Sequence, residues 1–134
     1  MLYRPHTFDN AFCDLGASNV MSKVLYEKVL GGPMSPAHFR LQMADQTTWQ
    51  PEGVAENILV RIKKEYVPTD FVILDIGNSA EVPLLLGRPF LHTTKAAIYF
   101  GKGVATFAFK GKTINMPFNG YIRNNQVKKN QPKR

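Results

Sequence analysis

A carboxylate that ends an apolar strand and is followed by a tight turn of small residues is well placed for proton transfer, and Phe12-Cys13-Asp14-Leu15-Gly16-Ala17-Ser18 supplies one. Gly16 can take positive φ and turn the chain sharply. The small Ala17 and Ser18 leave room beside Asp14 for a substrate or a second subunit. The same spacing also occurs as ordinary turn chemistry after a strand, so the run by itself leaves both readings open. Other reactive side chains offer less. Cys13 is the sole cysteine, lies in an apolar strand, and reads as a small buried side chain rather than a nucleophile. His6, His38 and His92 are scattered without ligand spacing, so neither a metal nor another cofactor is expected.

The elements that must position Asp14 are mostly strands. Glu81-Val82-Pro83-Leu84-Leu85-Leu86-Gly87-Arg88-Pro89-Phe90-Leu91 is a continuous apolar strand that ends at glycine and leads into a helix with Pro89 in its first turn. Met21 to Leu30 has Leu25 and Val29 at helical spacing, and Gly31-Gly32 as a stop. Phe39 to Met43 alternates like a half-buried strand, 44–47 supplies turn residues, and Val54 to Ile62 places Ile58, Val60 and Ile62 on one face. Together these predict a hairpin with a polar tip. Phe71 to Leu74 reads as a buried strand, and His92 to Ala97, beyond the Pro89 turn, as helical. Three further strands, Ala97 to Phe100, Val104 to Phe109 and Thr113 to Met116, are separated by glycine turns and predict a meander. The expected fold is all-β, a small closed or partly closed barrel with one or two short helices.

The two runs together resemble one family. From about Thr7 to Phe118 the chain resembles the retropepsin-like aspartic protease domain of plant gypsy-type retrotransposon polyproteins, in which a Cys-Asp-Leu-Gly-Ala-Ser run precedes a Val-Pro-Leu-x-Leu-Gly-Arg-Pro-Phe-Leu run. The resemblance implies a retropepsin-like barrel with one lobe per chain and an aspartic endopeptidase that cuts a retroelement polyprotein. It makes Asp14 the catalytic carboxylate and Leu15, Gly16, Ala17 and Ser18 its turn. It makes the hairpin around 44–50, with Asp45, Gln46 and Thr47, the flap over a bound peptide, and Leu85, Leu86 and Gly87 the loop that braces the turn from beneath. Trp49 beside the flap tip would pack on a substrate side chain or, equally, be buried in the core. Asp45, Asp70 and Asp75 are the other candidate carboxylates, but none continues into Ala-Ser. One catalytic run per chain cannot make a carboxylate pair, whereas a two-fold axis would set Asp14 beside its own copy. The implied partners are therefore a second copy and a polypeptide substrate.

The chain departs from retroviral or family patterns in three places. Leu15 stands where retroviral members carry the Thr or Ser that links the two turns, although plant retroelements often have Leu there; the run after Ser18 is one residue short, and only 1–6 stand where family domains carry a further strand. These departures keep alive a rival reading, an inactive relative of the same fold that binds peptide or dimerises.

The 134 residues, 44% hydrophobic and 20% charged, suit one domain, expected over 1–118, and no apolar run is long enough to span a bilayer. With no apolar leader at the start, an intracellular, cytoplasmic setting without membrane contact is the expectation. The charge is lopsided: 1–81 carry a net −3 and 82–134 a net +10, which gives the overall +7. Residues 119–134 hold part of this excess with little apolar content, and are expected to be a disordered tail, either a linker or an attraction for nucleic acid.

Overall fold

A computed structural model of the chain describes residues 6–8, 11–43, 45–76, 84–123 and 125–129. In chain order the elements begin with β1 (His6–Phe8), β2 (Ala11–Cys13), β3 (Val20–Ser22) and α1 (Lys23–Val29). A small hairpin, β4 (Leu41–Gln42) and β5 (Thr48–Trp49), precedes two long strands, β6 (Gly53–Ile62) and β7 (Glu65–Leu74). Then come β8 (Leu84–Leu86), α2 (Arg88–Thr93), β9 (Ala97–Tyr99), β10 (Val104–Phe109), β11 (Lys112–Pro117), β12 (Tyr121–Ile122) and β13 (Asn125–Lys129).

Eight strands form one sheet in the order β1-β13-β6-β7-β3-β8-β2-β12, which curls into a half-barrel, while β9, β10 and β11 form a separate meander. The core lies inside the curl. Ile58, Val60 and Ile62 of β6 are all buried, as their alternation requires, and Phe71 and Ile73 of β7 join them in the core with no exposed surface. A two-residue turn joins the long strands, with Lys63 at φ 53°. The meander closes on the same core through Ala105, Phe107, Ile114 and Met116, and the rings of Phe107 and Phe90 meet edge to face at 6.3 Å. The backbone N–H of Ala108 donates to the carbonyl of buried Thr94, which pins the meander to the end of α2.

The all-β class, the two short helices and the three-strand meander match the sequence reading. Several details differ. Met21 and Ser22 belong to β3, and α1 begins only at Lys23, with the Ser22 hydroxyl accepting the Leu25 N–H at 3.2 Å as its cap. Helix α2, Arg88–Thr93, has Pro89 in its first turn as the sequence reading expects, but it ends before Ala97, which pairs with Thr106 in the meander. The strand that returns from the polar tip is Thr48–Trp49; β6 pairs with β7 instead.

The largest correction concerns the C-terminal residues. Within 119–134, Tyr121–Ile122 and Asn125–Lys129 are strands of the main sheet. Val127 sits opposite Val60 in β6 and both are fully buried, so a single apolar side chain together with a ladder of backbone hydrogen bonds docks a segment that composition alone assigns to solvent. His6–Phe8 pairs with this same strand on its other side. Residues 130–134 lie outside the described residues.

Cys13 is half-buried against the core, and loss of solvation pushes its thiol up from 9.0 to about 12. A thiol whose folded value is raised contributes stability that is complete below about pH 9 and is lost as the pH climbs toward 12. At pH 9 we expect iodoacetamide to alkylate the native chain at least ~100-fold more slowly than the urea-unfolded chain, as followed by mass spectrometry. Equal rates would contradict this placement of Cys13.

Candidate active site

Strands β2 and β3 are consecutive in sequence yet do not pair, because β8 lies between them, parallel to β2 and antiparallel to β3. The segment 14–19 must therefore cross over the end of β8. Three hydrogen bonds fasten it there: Asp14 N–H donates to the Leu86 carbonyl at 3.1 Å, Arg88 N–H to the Ala17 carbonyl at 2.7 Å, and Gly87 N–H to the Asn19 side-chain oxygen at 2.7 Å. The crossing is so close that a Cβ on Gly87 would overlap the Ala17 carbonyl oxygen and the Ser18 carbonyl. Gly87 has φ −97°, so its lack of a side chain serves space rather than torsion. Leu86 beneath the turn is fully buried. The brace expected from Leu85, Leu86 and Gly87 is thus a strand end and the residue after it.

Asp14 is exposed on this crossing. Its Oδ1 accepts the Gly16 N–H at 2.9 Å, which fixes the carboxylate against the turn. Gly16 does not take positive φ, contrary to expectation; it is small where a Cβ would stand 3.4 Å from Asp14 Oδ1. A cleft of about 450 Å³ opens over the carboxylate, floored by Asp14, Gly16, Ala17, Ser18, Val20 and Leu85. Its other wall is the β4–β5 hairpin, through Leu41, Gln42, Met43 and Gln46. The hairpin closes with Met43 N–H donating to the Thr47 carbonyl at 2.8 Å, and Gln46 sits at φ 74° in the turn.

The expected flap residues divide in two. Gln46 reaches the cleft, whereas Asp45, Thr47 and Trp49 hold the turn in shape. Asp45 Oδ1 accepts the Thr47 hydroxyl at 2.6 Å and its N–H at 3.0 Å, and these bonds, the hydroxyl first, hold the Asp45 carboxyl below the usual carboxylate range. Trp49 is half-buried opposite Leu41, gives its indole N–H to the Thr47 hydroxyl at 3.2 Å, and lines no part of the Asp14 cleft. It therefore belongs neither to the cleft nor to the buried core. Residue 44 lies outside the described residues. Of the rival carboxylates, Asp70 accepts the Asn57 N–H at 2.7 Å where β6 bulges, and Asp75 is exposed away from the cleft. The Gly77 that would complete the Asp75 run is outside the described residues. Among the described residues no group of three or more His, Cys, Asp or Glu could hold a metal ion, and no helix is long and apolar enough to cross a membrane.

Asn19 is the residue that sequence reasoning missed. It is buried at 4% exposure, its Oδ1 takes the N–H groups of Gly87 and, at 3.4 Å, Phe90, and its Nδ2 donates to the Asp70 carbonyl at 3.1 Å. One amide thus ties the crossing to α2 and to β7. Its sequence signal was slight, an Asn just past a turn, where local capping is the usual reading.

No family model matches the chain, and no curated protein matches it. Among solved structures, the chain is similar to the retroviral protease-like domain of Ddi1 from Leishmania major, with a TM-score of 0.59 at 21% identity over 89% of this chain and 96% of that one. The fold is retropepsin-like. Asp14 lies on the crossing turn of this lobe, beside the β4–β5 hairpin wall.

Replacing Asn19 with Ala leaves the Gly87 N–H buried without an acceptor, and should cost about 2–3 kcal/mol in urea unfolding. Gly87→Ala must move backbone and should cost about 3 kcal/mol or more, lowering Tm by roughly 10 °C on a far-UV melting curve. A Gly87→Ala variant as stable as the parent would show that the crossing is looser than described.

Proposed function

We propose that this chain is an aspartic endopeptidase which acts as a symmetric homodimer, with Asp14 of each copy supplying half of the catalytic pair. The observation that carries the reading is the cleft itself: an exposed carboxylate held by a backbone N–H, on a braced turn, facing a hairpin that can fold over an extended peptide. The retropepsin-like fold supports the same reading at the level of architecture.

Two carboxylates within about 3 Å hold a single proton between them, as is established for the aspartic proteases. The ionised one draws a proton from a water held between the pair, the water attacks the peptide carbonyl, and the protonated one donates to the oxygen as it gains charge. No covalent intermediate forms. The Gly16 N–H bond to Asp14 Oδ1 leaves the other oxygen for the partner and the water. Gln46 and Met43 in the hairpin would shut bulk water out as the peptide binds.

Leu15 bears on assembly. Its side chain is 57% exposed directly beside Asp14, an apolar group that a second copy on a two-fold axis would cover. Where a hydroxyl links the two turns in retroviral members, paired leucines would supply apolar contact. The substrate we assign is a retroelement polyprotein of the plant gypsy type, on the strength of the runs Cys13 to Ser18 and Val82 to Leu91.

Purified protein and its Asp14→Asn variant, incubated with a mixed peptide library, test the reading. We expect cleavage at mildly acidic pH, falling on both sides of an optimum because the pair must keep one proton, and a loss of about 10³-fold or more in the variant. Cleavage that survives Asp14→Asn would overturn the assignment. Leu15→Glu should shift sedimentation toward monomer and remove activity together. A dimer that forms but cuts nothing would leave an inert peptide-binding module.

A further inference from the structure

Another cavity, of about 440 Å³, adjoins the crossing turn, and Ser18 lines both it and the Asp14 cleft. It opens where β6 loses step with β7. The register shifts between Ala55 and Ile58, and Asn57, at φ 60° in the left-handed region that asparagine tolerates better than most residues, lines the space beside the bulge. Phe39, Pro68, Pro89 and Phe90 give the cavity apolar walls. Phe90 is buried and packs edge to face on Phe107, whereas Phe39 is 45% exposed.

Among the described residues, Asp70 is the only charged side chain that lines this cavity. Its Oδ1 accepts the Asn57 N–H at 2.7 Å and so holds the bulge, yet the carboxylate forms no ion pair among the described residues. The bulge needs only an acceptor, which a neutral amide would supply as well. The negative charge is therefore left for something else. An anion would meet that charge with no cation to offset it. A metal ion would find one carboxylate where hard cations take several oxygens, and no group of three or more His, Cys, Asp or Glu is assembled among the described residues. An uncovered ring in the same cavity as a lone carboxylate suits a cation on a long apolar stem. A guanidinium answers both features, since it forks onto a carboxylate and lies flat on an aromatic face.

We propose that this cavity binds an arginine side chain of a polypeptide, with the guanidinium on Asp70 and the stem across Phe39. The shared Ser18 indicates which polypeptide: a chain lying in the Asp14 cleft passes over Ser18 directly into this cavity. That the arginine belongs to the substrate rests on the proteolytic reading; that the cavity holds an arginine does not.

The test uses the full chain carrying Asp14→Asn, so that no peptide is cut during the measurement. It is titrated by amide-proton NMR with the acetylated peptide Ala-Leu-Arg-Leu-Ala and with its citrulline counterpart, which keeps the shape of the arginine and loses the charge. We expect the arginine peptide to bind about 5-fold more tightly, with shift changes at Phe39, Asn57 and Asp70. Asp70→Asn, whose amide oxygen still accepts the Asn57 N–H, should make the two peptides equal. Phe39→Ala should weaken the arginine peptide about 3-fold. Glu27→Gln removes the same charge from α1, outside the cavity, and should change neither. Absence of binding at about 5 mM peptide, equal affinity for the two peptides, or a preference that persists in Asp70→Asn overturns the proposal. N-acetyl-arginine amide binding as tightly as the peptide would make this a small-molecule site and overturn the polypeptide assignment. An arginine preference in a chain whose parent cuts no library peptide would sustain the cavity while the proteolytic reading fails.

Discussion

The molecule is organised around one crowded crossing, where the turn bearing Asp14 passes over the end of β8. Because β8 lies between β2 and β3, the six residues from Asp14 to Asn19 have no freedom to wander: each side of the turn is hydrogen-bonded to the strand or the helix it spans. That confinement turns an exposed carboxylate into a preorganised one. It also explains two residue choices that have nothing to do with chemistry. Gly87 is there because backbone fills the space a side chain would need, and Asn19 because one amide can accept from the helix start while donating to β7.

The remaining architecture serves that crossing at increasing distance. The long β6–β7 hairpin forms the stiff wall to which β3 is joined in parallel, and the β4–β5 hairpin is held to its base by the paired bonds between Ser35 and Val54. That hairpin has little burial, and its shape comes from local polar bonds among Asp45, Thr47 and Trp49. A segment so held can open without unfolding the core.

The distribution of charge follows the same division of labour. Acidic residues lie in the first part of the chain, which supplies the turn and the flap, while the strands after β8 carry a purely basic excess. In three dimensions Arg123 from the later part of the chain joins Arg61 and Lys63 from the earlier part in lining a cavity beside β6, separate from the Asp14 cleft.

Much of this was legible in the residues. Alternation revealed β6 and the meander, and glycine turns punctuated them, since both are local patterns set by side-chain period and turn chemistry, whereas the meeting of the Asp14 turn with Leu85–Gly87 was implied by the family resemblance alone. Strand β13 was invisible because a lone Val127 between polar neighbours becomes a core residue only when β6 offers Val60 opposite it. The bracing role of Asn19 was invisible because its partners are 51 to 71 residues away. Sequence by itself determined the strand class and marked an exposed carboxylate on a turn; tertiary structure alone decided what braces it and that β13 joins the sheet, because those depend on long-range pairing that no local pattern encodes.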